Sequence, residues 1–198
     1  MRIALFVLAG LVAGCSFLAP RHDPSRFYTL SARAVPEVAT RDREPAPSVV
    51  VGPVTFPAYL DRNEVAVRVS PNELQYALAE RWAEPLSQSF TRVLVEDLGT
   101  ALGTDRVAAL TSGTAIAPDF WVEVVVVRFE AGVDGRAELT ARWAVRNAAR
   151  KIVRVRQSQH ARQATAATTE GGVKALSAAL GDLADEIATV LREIHAER

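Results

Sequence analysis

Between residues 137 and 145 the chain alternates strictly. Ala137, Leu139, Ala141, Trp143 and Val145 occupy every second position, and Glu138, Thr140, Arg142 and Arg146 fall between or just after them. A two-residue period suits only an extended strand with one face buried, because successive side chains leave a strand on opposite sides. This strand therefore needs an apolar layer on one side, and its neighbours supply more sheet. Residues 120–130 are rich in valine and aromatics, and Gly132-Val133-Asp134-Gly135 provides a turn into 137–145. A second turn at 147–150 leads to a strand from about Lys151 to Arg162. Earlier, Val65, Val67 and Val69 alternate with Glu64, Ala66 and Arg68, while Val49-Val50-Val51 has the look of a buried strand ended by Gly52-Pro53. Phe27-Tyr28-Thr29-Leu30 is a plausible first strand, and a short one is expected near 106–110.

The apolar layer has two sources. From Pro85 the period changes: Leu86, Phe90, Val93, Leu94, Leu98 and Ala101 recur at steps of three and four, with Gly103 placed as a C-terminal cap. A second stripe carries Leu176, Leu180, Leu183, Ile187, Val190, Leu191 and Ile194, after a capping sequence at Thr168-Thr169-Glu170. Its near-heptad spacing fits either docking on the sheet or a coiled-coil contact with a partner. Residues 74–84 are ambiguous between a turn and the lead-in to a helix. The expected fold class is α+β, a two-layer sandwich of a mainly antiparallel sheet with two amphipathic helices on one face.

The N-terminus carries a different kind of signal. Arg2 precedes an apolar run from Ile3 to Val12, which ends in Ala13-Gly14-Cys15. A charged start, a short apolar run and small residues at its end make an export signal, too short to span a hydrocarbon core of about 30 Å. Cys15 is the chain's only cysteine. A lone thiol in an exported protein has no internal disulfide partner, so an ordinary secretory peptide with a chance cysteine explains it poorly. The segment resembles a lipobox. That resemblance implies cleavage after Gly14 and acylation of Cys15, with chains such as palmitate holding the mature N-terminus in a membrane. Ser16 is not the aspartate associated with inner-membrane retention, so the periplasmic face of the outer membrane is expected. The organisation is then a signal peptide at 1–14, a lipidated tether at 15–26 and one domain at 27–198.

Little in that domain points to catalysis. His22, His160 and His195 form no close-spaced metal pair, and His160 is expected as a half-exposed strand residue. Gly171-Gly172 lacks the rest of a phosphate loop, and no nucleophile elbow is present. Glu96-Asp97 has the look of a solvated helix face. The formal net charge is zero, which gives no footprint for nucleic acid. The expectation is a non-enzymatic protein with no cofactor beyond the lipid on Cys15. Two segments stand out as candidate contacts. Phe56 to Arg62 is an aromatic loop, from which Tyr59, Leu60, Asp61 and Arg62 are candidate partner-binding residues; equally, Phe56, Tyr59 and Leu60 would fold back over the core. Trp82, before the first helix, is a lesser candidate or else a hydrophobic staple.

These segments, in this order after a lipobox, resemble the ABC-type transport auxiliary lipoproteins, a PqiC-like, MCE-associated family. The resemblance is carried by Phe27-Tyr28-Thr29-Leu30, Val51-Gly52-Pro53-Val54, Pro57, Tyr59-Leu60-Asp61-Arg62, Val67-Arg68 and Asn72-Glu73-Leu74. It continues through Trp82-Ala83-Glu84-Pro85-Leu86, Val93-Leu94 and Glu96-Asp97-Leu98. It implies an auxiliary part of a lipid-transport system, with an MCE-domain protein as partner, the ATPase on another chain, and no catalytic residues here. A homo-oligomer stays open. The competing class is a structural or assembly lipoprotein, such as an envelope-assembly chaperone or a pilotin, which shares the anchor and the size.

Overall fold

The computed structural model describes residues 23–34, 46–113 and 117–197. Cys15, the signal peptide and most of the tether lie outside the described residues, as does the centre of the loop expected at 31–48. In chain order the strands are β1 (Arg26–Tyr28), β2 (Val49–Thr55), β3 (Glu64–Ser70), β4 (Glu73–Trp82), β5 (Val107–Ala109), β6 (Phe120–Gly132), β7 (Arg136–Asn147) and β8 (Ile152–Gln163). Helix α1 (Leu86–Leu102) falls between β4 and β5, and α2 (Thr169–Ala196) closes the chain. Residues 74–84 are therefore mostly strand, neither turn nor helix entry.

The sheet has eight strands and is mixed, which corrects the expectation of a mainly antiparallel one. The hairpins β3–β4, β6–β7 and β7–β8 are antiparallel. The pairings β1–β4, β2–β5, β2–β6 and β3–β6 are parallel. The reason lies in how β6 is flanked. Along one edge it pairs with β7 from Phe120 to Ala131. Its other edge is shared by two strands in succession: Val49–Thr55 lies along 120–125, and Val67 and Arg68 lie beside Ala131 and Gly132. Strands β2 and β3 are thus two lengths of one line, both parallel to β6. Residues 56–63 form an excursion between them, and no reversal of direction is needed.

Both helices obey the stripes seen in the sequence. In α1, Leu86, Phe90, Val93, Leu94, Leu98 and Leu102 are buried, and Gly103 ends the helix at φ 70°, a left-handed conformation that glycine adopts without a Cβ penalty. In α2 all seven apolar residues of the second stripe are buried. They pack on β6, β7, β8 and α1, so the stripe is consumed by docking within the domain. The Thr168 side chain accepts the Gly171 N–H and caps the start of α2. Val122, Val124, Leu139, Ala141, Trp143 and Val145 face these helices in one core, and the Trp143 indole N–H donates to Ser158 Oγ at 2.9 Å. Across the pleat, Val125, Val127 and Val155 are exposed, and no described helix packs on this face of β6–β8.

Candidate docking site

The candidate loop is the excursion 56–63, and its residues divide between holding it down and facing outward. Phe56 packs edge-on against Phe90 of α1, with ring centroids 5.2 Å apart, and Phe90 meets Phe129 of β6 at 5.3 Å. Pro57 starts a single 3-10 turn, Ala58–Leu60, closed by the Leu60 N–H on the Pro57 carbonyl at 2.9 Å. Leu60 is buried in the core. The Tyr76 hydroxyl donates to the Tyr59 carbonyl at 3.1 Å. The Tyr59 ring points its own hydroxyl at β6 and donates to Glu130 Oε2 at 2.9 Å. Of the two readings of this loop, folding back over the core describes Phe56, Tyr59 and Leu60.

Tyr59 enters a polar network that fills the break between β2 and β3. Glu130 is 1% exposed. Its Oε1 accepts from Arg68 Nη2 at 2.6 Å, Arg68 Nε at 3.0 Å and Arg128 Nε at 2.8 Å. Its Oε2 accepts from Tyr59 and from the Phe129 N–H. Arg128 also pairs with Glu138, which pairs with Arg136. A buried carboxylate is costly unless its lone pairs are filled, and here two guanidiniums, a phenol and an amide fill them. Burial and the neighbouring Glu130 push the Tyr59 phenol well above its ordinary range, so the hydroxyl keeps its proton at physiological pH and donates it to Glu130. None of the signals read from the sequence singled out Glu130. The one clue was an acid and an arginine at the end of an otherwise apolar strand.

The outward part is smaller. Asp61 is exposed at the end of the turn. Arg62 lays its guanidinium 4.4 Å from the Tyr76 ring centre and pairs with Glu64 at 3.4 Å. Trp82 is elsewhere in role: it is the last residue of β4, 7% exposed, with its N–H on the Asn63 carbonyl at 2.7 Å. Within the candidate set, then, Asp61 and Arg62 are presented to solvent, Tyr59 is half-buried, and Leu60 and Trp82 support them from the core. Asp97, expected on a solvated helix face, is also buried, and its Oδ1 accepts the Arg33 N–H at 2.8 Å.

Two concavities lie away from this loop. One, of about 220 Å³, is bounded by Val65, Val67, Ala131, Val133 and Leu176; the other is an open groove of about 760 Å³ between α1 and β2–β5. Neither is lined by residues 59–62. Among the described residues no group of three or more histidine, cysteine or acidic side chains is placed to hold a metal ion, and no helix is long and apolar enough to cross a membrane.

Residues 28–188 match the family described as "ABC-type transport auxiliary lipoprotein component". The chain belongs to this family. The match runs from the end of β1 to within α2 and so takes in both the 56–63 excursion and the Glu130 network. Two solved structures share the fold. One, of an uncharacterized protein, has TM-score 0.69 at 20% identity and covers 86% of this chain and 98% of its own. The other, a Xanthomonas campestris protein of the DUF330 family model, has TM-score 0.69 at 18% identity and covers 87% and 100%. No curated protein matches the chain. As an ABC-type transport auxiliary lipoprotein component, the chain is an accessory to a transporter.

Proposed function

We propose that this lipoprotein is a non-enzymatic docking subunit, anchored through Cys15 at the periplasmic face of the outer membrane. There it holds the MCE-domain partner of an ABC transporter that moves lipids between the inner and outer membranes. The observation that carries the reading is the family match over 28–188. The site supports it: a rigidly seated turn presents Asp61 and Arg62, while Tyr59 and Leu60 are fixed from behind. Rigid presentation lowers the ordering cost of binding, which is what an exposed acid–base pair on a surface needs in order to contribute. The anchor follows from the Ala13-Gly14-Cys15 segment, since two or more acyl chains hold a protein firmly where one is marginal.

Co-purification of the full-length protein with an MCE-domain protein tests the partner. Arg62→Glu and Asp61→Arg are expected to weaken capture by about tenfold, the usual scale for reversing an interfacial charge, with the melting temperature unchanged in Asp61→Arg and only slightly lowered in Arg62→Glu, which gives up the Tyr76 and Glu64 contacts. Undiminished capture by both folded variants would remove the loop from the interface. Cys15→Ser is expected to abolish acyl labelling and to release the protein from outer-membrane fractions; persistent labelling would overturn the anchor.

A further inference from the structure

Strand β8 is the long free edge of this sheet. It runs for 12 residues, pairs only with β7, and no other described strand covers its far side. A strand edge of that length offers a row of unpaired amides and carbonyls, and natural proteins usually shorten, bulge or cover such an edge. This one contains no proline, its ladder on β7 slips once, at Val153, and runs unbroken from Arg154 to Gln163, and Ile152, Val153 and Val155 are exposed on it. Its charges are all of one sign. Lys151, Arg154, Arg156 and Arg162, with His160, fall between 151 and 163, and no carboxylate does.

The two faces of the edge differ in a way that defines an occupant. Positions 156, 160 and 162 face α2, where Arg156 and His160 meet Glu186 and Arg162 meets Asp182. Arg154 lies on the same side, and its Nε–H is buried with no acceptor among the described residues. On the opposite side Val155, Gln157 and Gln159 are exposed, with Arg142 of β7 bonded to the neutral Gln157 amide at 3.0 Å. A second copy of β8 fits this edge badly. Paired antiparallel, the Arg154–Arg156 end of one strand would lie against the His160–Arg162 end of the other, and paired parallel each arginine would face its own copy. Like charges directly opposite on neighbouring strands are destabilising.

We propose that β8 accepts, by strand addition, an extended acidic segment of a partner protein in which carboxylates alternate with apolar residues. The carboxylates fall beside Arg154, whose Nε–H has no acceptor, and Arg156, whose pairing with Glu186 is long at 3.9 Å, and the apolar residues fall beside Val153 and Val155. Main-chain bonds along the edge supply affinity, and the alternation supplies specificity.

The test uses the full-length lipoprotein in detergent micelles and a fluorescent peptide of alternating Glu and Val, about eight residues long to match an ordinary strand. Anisotropy measures binding, and amide hydrogen exchange maps it. Binding is expected to slow those alternate amides of 152–163 that exchange quickly in the free chain. A peptide with Lys in place of Glu is expected to bind about tenfold more weakly or worse, and Arg154→Glu to weaken the acidic peptide by about tenfold. Gln157→Glu, an exposed change beside Arg142 that leaves folding intact, is expected to act in the same direction. Equal affinity for the two peptides, no binding at about 1 mM, or protection mapped elsewhere would each overturn the proposal. So would free-edge amides that are already slow without peptide: at all concentrations this means that another segment of the chain covers the edge, and only at high concentration that a second copy does. No MCE protein enters the assay, so its outcome is independent of whether residues 59–62 dock one.

Discussion

Glu130 is held by its neighbours Arg128 and Phe129 and by residues from two distant parts of the chain: Tyr59 lies 71 positions before it and Arg68 lies 62 before it. No sequence window contains such a set, which is why Tyr59 and Arg68 were visible as individual residues while the carboxylate joining them was not. Removing the phenol hydroxyl in Tyr59→Phe leaves Oε2 with only the Phe129 N–H, and the expected loss is about 1 kcal/mol in chemical denaturation. Arg68→Met strips two of the three donors from Oε1 and should cost about 3 kcal/mol, since breaking a buried pair leaves an undercompensated charge. Asp97 is the opposite case. Burial pushes its carboxyl above the usual range; the Arg33 N–H and guanidinium pull it down, and Asp185 and Glu96 add to the rise. A raised folded-state value means the protonated form is favoured by folding. That contribution is full below about pH 4, the unfolded value, and is lost as pH climbs through the folded one. Asp97→Asn keeps an acceptor for the Arg33 N–H and has no charge to bury. Its stability relative to the unsubstituted protein is therefore expected to rise between pH 3 and pH 7, as urea titrations at the two pH values would show.

At the level of single elements, both helices and strands β6 and β7 were legible because each buries one face and exposes the other, and β8, buried at only one position, was legible from the turn at 147–150 that leads into it. Strand β4 was not. Glu73–Trp82 contains Leu78, Ala79 and Glu80, residues at home in helices, and is buried at only one of its 10 positions. Its register against β3 also jumps, from Arg81 opposite Glu64 to Ala77 opposite Val65, which breaks any alternation that the sequence might have shown. What makes it a strand is pairing to β3 and β1, both outside its own window. Helix α2 offers a sharper test of packing. A Cβ added at Gly172 would lie 2.9 Å from the Ala131 Cβ of β6, too close for either element to stay in place. Gly172→Ala should lose about 2 kcal/mol by overpacking, and Ala131→Gly should restore part of it in the double variant. The Thr168→Ala change, at the cap of the same helix, should cost about 1 kcal/mol by thermal melting.

For the molecule as a whole, the α+β class followed from two periodicities, but the direction of pairing did not. A strand's period says which face is buried and nothing about whether its neighbour runs with it or against it; only the flanking of β6 by β2 and then β3 decides that. Acylation at Cys15, as proposed, would impose a distance. From Cys15 to Arg26 is eleven steps of chain, at most about 40 Å when extended, so an acylated protein works close to its membrane. Deleting residues 16–22 should lower capture of a periplasm-spanning partner while leaving capture by the detergent-extracted protein unchanged. The line of β2 and β3 along β6 also has a mechanical meaning. A load on Asp61 and Arg62 is shared between the C-terminal end of β2 and the N-terminal end of β3, and both strands hand it to β6. The excursion is thus a handle riveted at both of its ends to one long central strand, with the Tyr59–Glu130 bond as a third rivet between them.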